Sequence, residues 1–159
     1  MTIIKRKSCR AVIISPFNEI LLIKIDNPEG SWFGWITPGG GINESEDEIT
    51  ALQRELYEEL GERNFTIGPK VWTRFHTFPW KGDIVEQHEV FYLVNASRFD
   101  PKPSMHPDTP EVSDLKAFRW WTLQEVQVTQ DDLAPAKLYF YLKELLEKGP
   151  PSSLVNVGV

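Results

Sequence analysis

Cysteine is nearly absent from this chain of 159 residues. The single one, Cys9, cannot close an internal disulfide. It sits in the run Cys9-Arg10-Ala11-Val12-Ile13-Ile14, where a small buried apolar side chain is the expected role rather than a nucleophile, and a reducing cytoplasm is the expected compartment. Long hydrophobic runs are missing too. Met1-Thr2-Ile3-Ile4-Lys5-Arg6-Lys7 is basic, but the apolar run after it stops at Ser15 and Pro16, too short for a signal h-region or a membrane span. A cationic excess is lacking as well. The formal net charge of -6 argues against broad affinity for nucleic acid, although a local basic pocket stays open. His76, His88 and His106 are too dispersed to announce a zinc site.

What is present is ordinary globular usage, 41% hydrophobic and 25% charged, which removes disordered, collagen-like and coiled-coil readings. The length suits one domain that buries roughly two thirds of its unfolded surface. That domain is expected over residues 1 to 148, with 149 to 159 as a loose tail opened by Gly149-Pro150-Pro151-Ser152-Ser153. Residues 8 to 15 and 20 to 25 read as strands joined by Pro16-Phe17-Asn18-Glu19. Residues 32 to 37 read as an aromatic extended segment ending at Pro38. Residues 65 to 78 and 84 to 94 read as longer strands around the turn Trp80-Lys81-Gly82-Asp83, and residues 116 to 122 as another. A Pro-rich loop over residues 99 to 111 is a candidate lid. Helices are expected over about 123 to 126 and over 135 to 147.

The clearest helix covers residues 46 to 60, free of glycine and proline, with Gly61 as its stop. A rotation of about 100° per residue gathers Glu55, Glu58 and Glu59 in one arc and Ile49, Leu52, Leu56 and Leu60 in a neighbouring packing arc. Like charges at this spacing destabilise a helix by roughly 0.2–0.5 kcal/mol per pair. A solvated acidic face would interleave cations, yet from Glu44 to Glu62 the only one is Arg54. Hard divalent cations take oxygen ligands, and magnesium commonly combines carboxylates, waters and substrate phosphates. Just upstream, Gly39-Gly40-Gly41 permits a main-chain carbonyl to turn to a metal and N–H groups to an anion.

Gly40, Glu46, Arg54, Glu55, Leu56, Glu58, Glu59 and Gly61 reproduce the spacing G-x5-E-x7-R-E-U-x-E-E-x-G-U, where U is aliphatic. By this motif the chain resembles the Nudix hydrolases. The motif covers residues 40 to 62, and only the last position departs, holding Glu62. The flanking Trp35-Ile36-Thr37-Pro38 and the strand order look similar to the family over about residues 8 to 145. The resemblance implies an α/β fold, an α/β/α sandwich with a mixed sheet, and hydrolysis of the diphosphate linkage of a nucleoside diphosphate derivative: a nucleoside triphosphate, a nucleotide sugar or ADP-ribose. It implies Mg2+, with Mn2+ as an alternative, on Glu55, Glu58, Glu59 and the carbonyl of Gly39. Arg54 would orient these ligands, and Glu46 would organise the loop. The general base is placed variably in the family. Glu111 is the candidate outside the box, with Asp114 and Glu89 as alternatives. Arg10, Trp35, Gly40, Gly41, His88 and Phe91 are candidate substrate contacts, with core packing the competing role for Trp35 and Phe91. The partner is a small-molecule nucleotide, no membrane is involved, an RNA 5′ end stays open, and the chain is a monomer or homodimer. The competing functions are an RNA 5′ pyrophosphohydrolase and a non-catalytic nucleotide sensor.

Overall fold

The structure is a computed structural model that describes residues 2–27, 32–103 and 115–159. Its strands are β1 (Ile3–Ile14), β2 (Ile20–Asn27), β3 (Trp32–Ile36), β4 (Gly39–Gly41), β5 (Ile67–Trp80), β6 (Asp83–Asn95), β7 (Leu115–Trp121), β8 (Leu133–Ala134) and β9 (Val155–Asn156). Its helices are α1 (Glu48–Leu60), α2 (Leu123–Val128) and α3 (Leu138–Lys148).

β1 is apolar on both faces in its second half, the pattern of a central strand covered on both sides. Cys9, Ala11 and Ile13 face α1 with Leu52, Leu56 and Leu60. Val12 and Ile14 face the other way, into a core shared with Trp35, Trp72, Trp121 and the α3 residues Leu138, Leu142 and Leu145. The result is a helix, a sheet and a helix layer. The sheet runs β8-β3-β2-β1-β6-β5-β9, with β4 on β1 and β7 on β2. It is mixed: β1 with β6, β3 with β8 and β5 with β9 are parallel, and the other pairs are antiparallel. Among the described residues no helix is long and apolar enough to cross a membrane.

Several boundaries move for identifiable reasons. The first helix begins at Glu48 instead of residue 46, because Asp47 takes an extended conformation and its carboxylate accepts the Thr50 N–H at 2.7 Å. Gly61 ends it at φ 75°, where Lys102 O lies 2.1 Å from any Cβ. Ile49 does not join the packing face: it is 46% exposed, while Ala51, on the other flank of the leucines, is buried. The β5–β6 turn falls at Lys81 and Gly82, both at positive φ, as a two-residue hairpin requires. α3 starts at Leu138, three residues after the expected Pro135. The tail is not loose. β9 pairs in parallel with Trp72 and Thr73 of β5, Val157 is buried, and the Val159 carbonyl accepts the Ala136 N–H. Val157 is apolar and large enough to hold this segment against the α3 core.

Candidate active site

α1 lays its acidic side against β4, and the three glycines decide how closely the two approach. Gly39 takes φ 141° and pairs with Arg10, where a Cβ would stand 2.1 Å from Cys9 O. At Gly40 a Cβ would stand 2.6 Å from the Glu55 carboxyl, so glycine leaves the space this carboxyl fills. Glu59 reaches the same strand, its Oε1 accepting the Gly39 N–H at 2.7 Å. Glu58 lies one turn along on the more open side.

Arg54 is the hub. Its Nε and one terminal nitrogen grip the two oxygens of Glu46 at 2.7 and 2.8 Å. That second nitrogen also donates to Gly41 O at 2.9 Å, while the other donates to Glu55 Oε1 at 3.0 Å and Glu58 Oε2 at 3.3 Å. Glu46, outside the helix, accepts the Asn43 N–H as well and so pins the loop between β4 and α1. The bidentate hydrogen bonds of Arg54 hold the Glu46 carboxyl down to about 2. Burial, then repulsion from Glu55, pushes Glu59 up to about 8. Burial also raises Glu55, against the pull of Arg54.

One guanidinium thus serves three carboxylates while a fourth is buried beside them. The shortage of positive charge, the all-oxygen donor set and the Glu55 cradle at Gly40 fit a hard divalent cation, the kind Nudix hydrolases generally use. Among the described residues no group of three acidic, His or Cys side chains is already drawn into a cage. Glu59 is committed to the Gly39 N–H, and Glu55 and Glu58 share Arg54.

Other sequence-derived candidates fall differently. Arg10 is an internal clamp: its Nε meets Glu89 Oε2 at 2.5 Å and its Nη1 donates to Thr37 O at 3.1 Å and Gly39 O at 3.3 Å. Glu89 is fully buried. Burial alone would raise its carboxyl, but Arg10, His76 and Arg74 hold it well below the usual range. Tied up in this way, it cannot serve as a base. Trp35 packs edge-to-face on Trp121 at 5.1 Å and donates from Nε1 to Asp131 at 3.0 Å, a core role. Phe91 is likewise buried, against Trp72. His88 is exposed on the α1 face of β6 against Phe75, and no hydrogen bond or ion pair joins it to the glutamates. Glu111, Asp114 and His106 lie outside the described residues. Burial, then Glu55, pushes the Cys9 thiol up to about 12, so it carries no thiolate.

The polar group around Glu89 was missed by motif reasoning. Its signal is the alternation Arg74, His76 and Gln87, Glu89, two polar pairs at strand spacing. Only the register shows that both pairs share one buried face.

Comparison with known proteins agrees with this geometry. A curated RNA pyrophosphohydrolase of Pelagibacter ubique is 26% identical over 152 residues, covering 90% of each chain. One of Rhodopseudomonas palustris is 27% identical over 135 residues, covering 78% of this chain and 76% of that one. The crystal structure of MutT protein from Methanosarcina mazei superposes with a TM-score of 0.68 at 19% identity, over 93% of this chain and 97% of that one, a likeness of fold. The MutT NUDIX hydrolase of Burkholderia pseudomallei gives 0.61 at 26% identity, over 89% and 98%. The model of the NUDIX domain itself matches residues 5–142, so this chain belongs to the NUDIX family and is a Nudix hydrolase, an enzyme of phosphoric anhydride bonds.

Proposed function

We propose that the protein hydrolyses the diphosphate linkage of a nucleoside diphosphate derivative, such as a nucleoside triphosphate, a nucleotide sugar or ADP-ribose, with Mg2+ or Mn2+ on Glu55, Glu58, Glu59 and the Gly39 carbonyl. The observation that carries this reading is the undercompensated carboxylate cluster of α1, with Glu55 seated in the space at Gly40. The cation, when bound, neutralises the diphosphate and lowers the pKa of an attacking water. Arg54 orients Glu55 and Glu58 while holding Glu46 and the Gly41 carbonyl, so helix and glycine strand keep one spacing. Arg10 fixes the other side of the strand through Thr37 and Gly39. The proton of the attacking water goes to a carboxylate, either one within the box or Glu111. A reducing cytoplasm, where such nucleotides are abundant, suits the lone free cysteine.

A second reading, an RNA 5′ end as substrate, is favoured by the curated relatives named RNA pyrophosphohydrolase. Purified protein with Mg2+ is to be given nucleoside triphosphates, nucleotide sugars, dinucleoside polyphosphates, ADP-ribose and triphosphorylated RNA, with phosphate products measured. Turnover of a small nucleotide is expected. Exclusive turnover of the RNA would move the second reading ahead, and tight binding without turnover would favour a sensor.

A further inference from the structure

Gly39, whose carbonyl is the proposed main-chain ligand of the cation, is held by side chains from both layers. Its N–H donates to Glu59 Oε1 at 2.7 Å, and its carbonyl accepts from Arg10 Nη1 at 3.3 Å. Cys9 and Ala11 face α1, so strand alternation puts Arg10 on the opposite face from Glu59. The same Nη1 donates to Thr37 O at 3.1 Å, and the carbonyl between the two, that of Pro38, accepts the Ala11 N–H at 2.9 Å. Three successive carbonyls thus go to two neighbouring residues of β1, and that of Gly39 is held by the longest of these bonds. A carbonyl oxygen has two lone pairs, so the Gly39 oxygen keeps one for a cation.

By charge alone arginine is an adverse choice here, because a guanidinium repels a divalent cation bound to the carbonyl it touches. Glu89 offsets that charge and sets where the guanidinium sits. Its Oε2 takes Arg10 Nε at 2.5 Å, closer than the 3.3 Å contact of Nη1 with Gly39. Glu89 is itself fixed, with Arg74 on Oε1 at 2.5 Å and Gln87 Nε2 on Oε2 at 3.1 Å. Arg10 is therefore anchored from behind by a buried carboxylate that cannot turn, and Nη1 is kept over Thr37 and Gly39. Replacing a buried ion pair by apolar side chains of similar volume often leaves stability unchanged or raises it, so a pair retained behind a ligating carbonyl speaks for geometry. Outer partners of metal ligands act in this way, by fixing the direction of the ligand atom.

We propose that Arg10, anchored by Glu89, is a positioning residue that sets the Gly39 carbonyl for the cation. This rests on the cation reading above, and its test reads binding instead of hydrolysis. Mn2+ affinity of the full chain is to be measured from the paramagnetic resonance of the free ion, for the wild type, Arg10→Met, Arg10→Lys, Glu55→Gln and Val157→Ala. Arg10→Met removes a positive charge, so electrostatics alone would tighten Mn2+ binding. Positioning has the opposite sign, and a rise in Kd of at least about tenfold is expected. Arg10→Lys keeps the charge without the fork and is expected to weaken binding by about threefold or more, and it carries the test if Arg10→Met does not fold. Val157→Ala, which loosens the α3 core away from the glutamates, is expected to bind as the wild type does. Unchanged or tighter binding in a folded Arg10→Met protein overturns the proposal. So does wild-type affinity in Arg10→Lys, or equal weakening in Val157→Ala, which would trace the effect to lost stability. Weaker binding in Glu55→Gln with no change in the Arg10 variants keeps the cation site and sinks the role of Arg10. Mn2+ binding that ignores Glu55→Gln sinks both.

Discussion

The carboxyl of Glu55 occupies the space that a Cβ on residue 40 would need, 2.6 Å from its position. Gly40→Ala therefore acts on one side chain. Glu55 is flexible at its far end, so the fold yields cheaply, by less than about 1 kcal/mol, and turnover falls by about 10- to 100-fold. Thermal melting and steady-state kinetics on the same preparation check both halves.

Arg54 holds Glu46 through two nitrogens and reaches Gly41, Glu55 and Glu58 with the remainder of its fork. Lysine offers a point charge in place of that fork. Arg54→Lys is expected to lower kcat by about tenfold or more despite the conserved charge, and Arg54→Ala further. Comparable kcat in Arg54→Lys and wild type would show that charge alone suffices.

Glu89 gives the fold a pH dependence. Its carboxyl is held well below the ordinary 4.5 by Arg10, His76 and Arg74 against its burial, so the unfolded chain takes up its proton first as the pH falls. The stabilisation is present in full above about pH 4.5 and is lost progressively below it. Denaturant titrations from about pH 7 to about pH 3 should show the decline, and Glu89→Gln should be less stable at neutral pH, by about 3–5 kcal/mol, with a shallower acid limb.

Val157 anchors the C-terminal segment. Val157→Ala is expected to cost about 1–3 kcal/mol of stability while leaving kcat within about twofold, because the residue packs in the α3 core away from the glutamates. Chemical denaturation alongside kinetics distinguishes this from a catalytic effect.

How much of this was legible in the sequence depended on whether a feature was local. The acidic arc of α1 was readable because helical rotation fixes which residues share a face within four positions, and Gly61 stops the helix locally, whereas the Asp47 cap that sets its start was not read. The turn at Lys81-Gly82 was readable for the same reason. Arg10 and Glu89 are 79 positions apart, and their pairing follows from a parallel register that no short pattern encodes. Trp35 could equally stack on a base or pack on Trp121, and only the sheet order decides for packing. The tail misled because a glycine and two prolines announce a break, while the docking of Val157 depends on where β5 ends up.

The proposal that Glu55, Glu58 and Glu59 hold the cation decides how hydrolysis occurs. It is tested most directly by turnover of a nucleotide substrate with Mg2+, with chelator, and in Glu58→Gln. Activity is expected to vanish with chelator and return with Mg2+, and to fall at least about a hundredfold in a Glu58→Gln protein that stays folded. Turnover that survives chelation, or a folded Glu58→Gln protein of near wild-type activity, would contradict it.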